Sequence, residues 1–196
     1  MRRPHLSLEQ YREIDLFFLA VIAFLAELVI TLASARWFPD QLYTVSVTAA
    51  ITAIVAVRWK GYAVIQSFLG GAALCIGLGA NPKQWLIYCI GNLAFLVMIP
   101  FLKLVGEKKI RGNAVWTILY GALTLFAMQT GRAVLALALG GTIRDAAAFY
   151  ATDSLSYVFT VVILWIAGRQ DGILEDQKEY LARLHAQMEA EKEEFQ

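Results

Sequence analysis

The sequence is poor in the residues that carry most protein chemistry. It has two cysteines and two histidines in 196 residues. Cys75 and Cys89 lie in apolar runs, whereas His5 and His185 lie outside them. That excludes a disulfide framework and a Cys/His zinc spacing. No carboxylate cluster has metal-ligand spacing. No Gly-rich phosphate loop is present either, since Gly106-Glu107-Lys108-Lys109 lacks the earlier glycine a Walker loop needs. Ser34, Ser46, Ser67 and Ser154 have no histidine to activate them. The expectation is a protein without catalytic activity, cofactor or metal of its own.

Charge is scarce as well, at 17% of residues against roughly 25% in a soluble domain. Lys and Arg number 17 against 16 Asp and Glu, a balance that speaks against a nucleic-acid partner. Residues up to Asp15 are polar, so no cleavable signal peptide is expected.

Apolar residues make up 59% of the chain, enough for about six spans of about 20 residues each. The apolar runs are 16–36, 43–57, 62–80, 84–102, 113–140 and 145–167. The turns between them carry Pro39, Arg58-Trp59-Lys60-Gly61, Asn81-Pro82-Lys83, Gly106 and Gly140-Gly141-Thr142. The second run covers only about 22 Å against a hydrocarbon core of about 30 Å. Pro100 is expected to kink or stop the fourth. The pattern predicts an all-α polytopic membrane protein. It has an N-terminal segment 1–15, a six-helix transmembrane domain 16–168 and a C-terminal segment 169–196.

Sidedness follows from Lys and Arg in short loops. With six spans, one side holds the N-terminal segment, turns 58–61 and 103–112, and the tail. These carry 13 of the 17 basic residues, leaving Arg36, Lys83 and Arg144 opposite and Arg132 inside. Both termini are therefore expected in the cytoplasm.

Four polar residues fall inside the runs. Glu27, Asn92, Arg132 and Asp153 each lie about 12–13 Å from the outer end of their helix, at 1.5 Å per residue. Gln129 shares the face of Arg132, and Tyr157 that of Asp153. An unpaired charge there costs at least about 2.5–3.5 kcal/mol, so Arg132 is expected to meet Glu27 or Asp153. The layer is either a structural network or the floor of an outward-opening cavity. In the second case Glu27, Asn92, Gln129, Arg132, Asp153 and Tyr157 are the candidate substrate-binding residues, for a cationic or neutral polar solute.

Small residues recur on helices: Ala20, Ala23 and Ala26, then Ala49, Ala53 and Ala56, then Gly70-Gly71-Ala72. They allow close helix approach, within the bundle or against a partner. The tail reads as an amphipathic helix from Gly172, with Leu174, Leu181 and Met188 seven residues apart and Leu184 near the same stripe. It would lie on the bilayer surface, pair with a second copy through 172–196, or dock a partner.

The stretch Val45 to Leu74 carries a resemblance. Ser46-Val47-Thr48-Ala49-Ala50-Ile51, the turn Arg58-Trp59-Lys60-Gly61, and Phe68-Leu69-Gly70-Gly71 form a small-residue helix, a Gly turn and a Gly-rich helix. With the short second span and the outer polar layer, the chain resembles the substrate-binding (S) components of energy-coupling factor vitamin transporters. The resemblance implies a small vitamin-like solute bound from outside a bacterial cytoplasmic (inner) membrane. It also implies a transmembrane coupling subunit and ATPases as partners. Three functions are therefore weighed: first a solute-binding uptake subunit, alternatively an S-component-like scaffold whose C-terminal helix recruits or dimerises, and third an autonomous channel or transporter. Uptake requires a solvent-reachable cavity above Arg132, whereas a scaffold requires a closed outer half and an ordered tail contact.

Overall fold

The computed structural model describes residues 7–40 and 43–194, and among these residues there are helices and loops but no strand. Helix α1 (Leu8–Trp37) begins on a capping box in which the Ser7 hydroxyl accepts from Gln10 N–H and the Gln10 side chain accepts from Ser7 N–H. Part of segment 7–15 thus belongs to α1, while Met1–Leu6 fall outside the described residues. The buried face of α1 is Leu16, Ala20, Ala23, Glu27 and Thr31. These positions are three and four apart, so they form one stripe. The stripe packs on α3 (Val64–Leu78). Phe17, Phe18, Ile22, Leu25 and Val29 on the other face are exposed. An apolar face of that extent is what a helix presents to lipid.

Helix α2 (Thr48–Trp59) is followed by a 3-10 turn, Lys60–Ala63. Lys60 takes φ 55° there. The chain reverses at this point, because a Cβ on Gly70 of α3 would collide with the Thr48 side chain. In one straight helix those residues would stand about 33 Å apart. Thus α2 and α3 form a hairpin. Every residue of α2 except Ile51 is buried, which puts this short helix at the centre of the bundle.

Helix α4 (Pro82–Val105) starts on an Asn81 capping box with Pro82 in its first position. Its middle is irregular, with a π turn at Leu86–Ile90 and a 3-10 stretch at Asn92–Val97. The disruption expected at Pro100 falls earlier instead. Regular α-helix resumes at Met98, so Pro100 sits in its first turn, where a missing N–H matters little. Helices α5 (Glu107–Gly112) and α6 (Ala114–Ala138) follow. The sixth apolar run, read as one helix from Asp145 to Ala167, is broken into α7 (Ile143–Thr152) and α8 (Ser154–Ala167). The two are bent by 42° at Asp153.

Leu8–Trp37, Thr48–Leu78, Pro82–Val105 and Ala114–Ala138 are long and apolar enough to cross a membrane, and the bent pair α7–α8 supplies a fifth such unit. The tail helix α9 is Gln177–Glu194. It starts later than the pattern at Gly172 predicts, because Gly172 takes φ 73° and residues 168–173 form turns and bends. Leu174 is fully buried in the apolar core. Leu181 and Leu184 are half-buried, and Met188 is exposed.

Candidate functional site

Gln129 and Arg132 lie three apart on one face of α6, which points them at the irregular part of α4 and the α7–α8 break. Glycines set the approach. A Cβ on Gly91 would stand 2.8 Å from the backbone N and Cα of Arg132, so only glycine lets α4 come so near.

Arg132 then reaches partners on two other elements. Its Nε donates to Asn92 Oδ1 at 2.7 Å, and its Nη1 donates to Asp153 Oδ2 at 2.8 Å. Nη1 also lies 3.4 Å from Gln129 Oε1. The Gln129 amide and the Thr44 hydroxyl both donate to Asp153. Asn92 Nδ2 donates to the Ser67 carbonyl at 3.2 Å. The guanidinium carbon sits 5.0 Å from the centre of the Tyr88 ring, a cation–π distance. Of the two acids within sequence reach, Arg132 pairs with Asp153.

Glu27 does something else. Its Oε2 accepts from the backbone N–H groups of Val47 at 3.0 Å and Thr48 at 3.2 Å. The residue preceding α2, Val47, has no side chain able to cap, so an acid from α1 satisfies these orphan donors. Depth along each helix gave Glu27 the right level, but not the rotation of α1 that turns it toward α2. Tyr157 is half-buried, packs against the apolar core and joins none of these hydrogen bonds.

The non-helical segment 43–47 completes the site. At the α7–α8 break, Ser156 N–H bonds the Asp153 carbonyl, which leaves the Thr152 carbonyl without its helical partner. Thr44 N–H takes that carbonyl at 2.9 Å. Ser46 N–H donates to Ser156 Oγ at 2.9 Å, and Ser156 Oγ–H donates to the Thr44 carbonyl at 3.3 Å. Backbone freed from a helix inside a bundle is thereby satisfied by a neighbouring segment. The result is closed. Arg132 is 3% exposed and Asp153 6%, while Asn92, Gln129 and Glu27 are at 0%. These side chains are thus closed off from solvent, with the Thr44 hydroxyl donating to Asp153.

A second polar constellation lies at the opposite end of α2, and sequence reasoning missed it. Asp15 of α1 receives Arg58 Nη2 at 2.7 Å, Arg58 Nε at 3.0 Å and Trp59 Nε1 at 2.6 Å. Arg58 Nη1 donates to the carbonyls of Gly172 at 2.6 Å and Ile173 at 3.2 Å. Lys60 pairs with Glu107 and with Asp176 at 3.2 Å, and Arg111 pairs with Glu175. Tyr11 reaches Gln177 at 3.3 Å. A cavity of about 780 Å³ lies between α5 and the tail, lined by Lys103, Glu107, Arg111, Glu175 and Arg183 among others. Only the basic turn 58–61 hinted at this junction, since nothing in spacing links Asp15 to a residue 43 positions away. No protein-family model, no curated protein and no solved structure matches the chain.

Proposed function

We propose that this chain is a membrane-embedded subunit that binds a small polar solute for uptake, without catalytic activity of its own. One observation carries the reading: three interruptions of helical backbone meet at one ionic network. They are the π and 3-10 turns of α4 around Asn92, the α7–α8 break at Asp153, and segment 43–47. Irregular backbone at membrane depth persists only where protein buries it or where it lines a cavity. Discontinuous helices are where transporters hold their solutes, and π turns gather at functional sites. Asn92, Gln129, Arg132 and Asp153 form the floor of the site, with Glu27 and Tyr157 at its margins. The closed form is then the occluded state, and entry requires segment 43–47 to leave Asp153 and Ser156.

The reading includes six crossings with both termini cytoplasmic, in a bacterial inner membrane. The hairpin at Lys60 supports the count, since Thr48–Leu78 then contributes two passes and α7–α8 one. The mutual contacts of Asp15, Arg58, Lys60, Glu107, Arg111 and residues 172–176 support the sidedness, because they gather the basic loops at one end. Coupling to a transmembrane subunit and ATPases belongs to the same proposal and rests on the resemblance alone. A scaffold is the second reading, favoured by the closed polar layer and by the ordered root of the tail at that same end.

Native mass spectrometry of the protein extracted in mild detergent tests the choice. Uptake predicts a co-purified small molecule that Arg132→Lys releases. A protein that carries none, and that no solute in a polar-metabolite screen stabilises, would decide for the scaffold.

A further inference from the structure

The α1–α2–α3 interface holds oxygen atoms that the Arg132 network does not use. Glu27 Oε2 is occupied by two N–H groups, yet Glu27 Oε1 has no partner among the described residues. The hydroxyls of Thr48, Thr52 and Ser67 are likewise unpartnered. All four residues are at most 2% exposed. Thr31, Thr117, Thr124, Thr130 and Thr152 each donate to the carbonyl four residues back, the default for a helical threonine. Thr52 leaves that partner, as does Thr160 of α8, and Thr48 opens α2 and has no helical carbonyl four residues back.

Placement brings these oxygens together. Thr48 N–H is 3.2 Å from Glu27 Oε2. The Thr48 side chain faces Gly70 of α3, which has no Cβ to exclude it. Thr52 lies one turn along α2, and Ser67 lies one turn back along α3 from Gly70. Because the hairpin is antiparallel, those two positions are level. Charge points the same way. Arg132 and Asp153 neutralise each other at 2.8 Å, so an ionised Glu27 leaves the layer one negative charge in excess. A bare carboxylate oxygen beside hydroxyls, with no histidine or thiol near, is a hard-oxygen donor set.

We propose that Glu27 and Thr48, with Thr52 and Ser67 together a turn deeper, line a site for a monovalent alkali cation, with Na+ as its probe. Among the described residues no three His, Cys, Asp or Glu side chains cluster for a metal ion, so this site takes a weakly held ion rather than a structural transition metal. Its occupancy needs no solute, and its test is independent of the uptake reading.

The test is the thermal stability of the purified, solute-free protein in detergent, titrated with NaCl against choline chloride at fixed ionic strength. A saturable rise in Tm with Na+ that choline does not give is the expected result. Thr48→Val should weaken the apparent affinity by roughly tenfold or more, the scale of losing one supporting partner of an ion. Glu27→Gln should abolish the response. If Glu27→Gln does not fold, the ion series on the unaltered protein still decides. Identical curves in Na+ and choline overturn the site. So does a stabilisation that acid supplies equally in either salt, which would place a proton on Glu27 instead.

Discussion

Arg132 holds side chains from two other elements in one plane, and a planar fork is the only side chain that can do so. Lysine keeps the charge but offers donors from a single point. Arg132→Lys is therefore expected to lose Asn92 or Asp153, lowering Tm through the buried group left unmatched, and to impair solute retention more than it impairs folding. Measuring both on one preparation separates the roles, since equal losses would mark a purely structural network. Gly91 is the neighbouring constraint. Gly91→Ala places a methyl group 2.8 Å from Arg132 backbone atoms, and backbone cannot step aside as a flexible side chain would. The expected cost is about 1–3 kcal/mol, seen as a lower Tm, and an unchanged Tm would refute the close approach. Counting residues from helix ends was enough to put Glu27, Asn92, Arg132 and Asp153 at one level, with Gln129 on the face of Arg132. It could not assign partners, because depth along an axis says nothing about rotation around it. Glu27 shows the gap: it has the right depth but turns toward the start of α2.

Segment 43–47 and the α7–α8 break stabilise each other, so they are expected to move together. Thr44→Val keeps the side-chain volume and removes the hydroxyl that donates to Asp153. A lost hydrogen bond to a buried charged group costs about 1.5–3 kcal/mol. Hydrogen exchange should then rise in 43–47 and 154–158 together, with α6 unaffected. Exchange that rises in one segment alone would show that they are not coupled. The hairpin turn was legible because Arg-Trp-Lys-Gly interrupts an apolar run with charge and glycine. The break at Asp153 was not, because Ala151-Thr152-Asp153-Ser154 contains neither proline nor glycine. Thr, Asp and Ser side chains compete locally for backbone groups, and the tertiary partners Thr44, Ser46, Gln129 and Arg132 hold the broken form. The shift of helical irregularity ahead of Pro100 has the same character, since the α4–α6 contact at Gly91 fixes where the helix deforms.

Across the whole molecule, the basic loops meet at one end and the polar layer lies toward the other. Under the proposed topology, single cysteines at Lys83 and Arg144 should react with an impermeant reagent added outside intact cells. One at Lys108 should react only after permeabilisation. Labelling of Lys83 from the cytoplasm alone would reverse the orientation. The junction of Asp15, Arg58, Lys60, Glu107 and Arg111 with residues 172–176 has a further consequence, and it concerns time. Chains are made from the N-terminus onward. Asp15, Arg58, Lys60, Glu107 and Arg111 are therefore all made before their last partners exist. Until residue 176 leaves the ribosome, Arg58 lacks its two carbonyl acceptors, Lys60 lacks Asp176 and Arg111 lacks Glu175. Residues 172–176 thus close a junction that stays open until they have been made. A chain stopped after Gly168 should insert normally yet be cleared quickly by membrane proteases, and pulse-chase labelling would read that difference in lifetime.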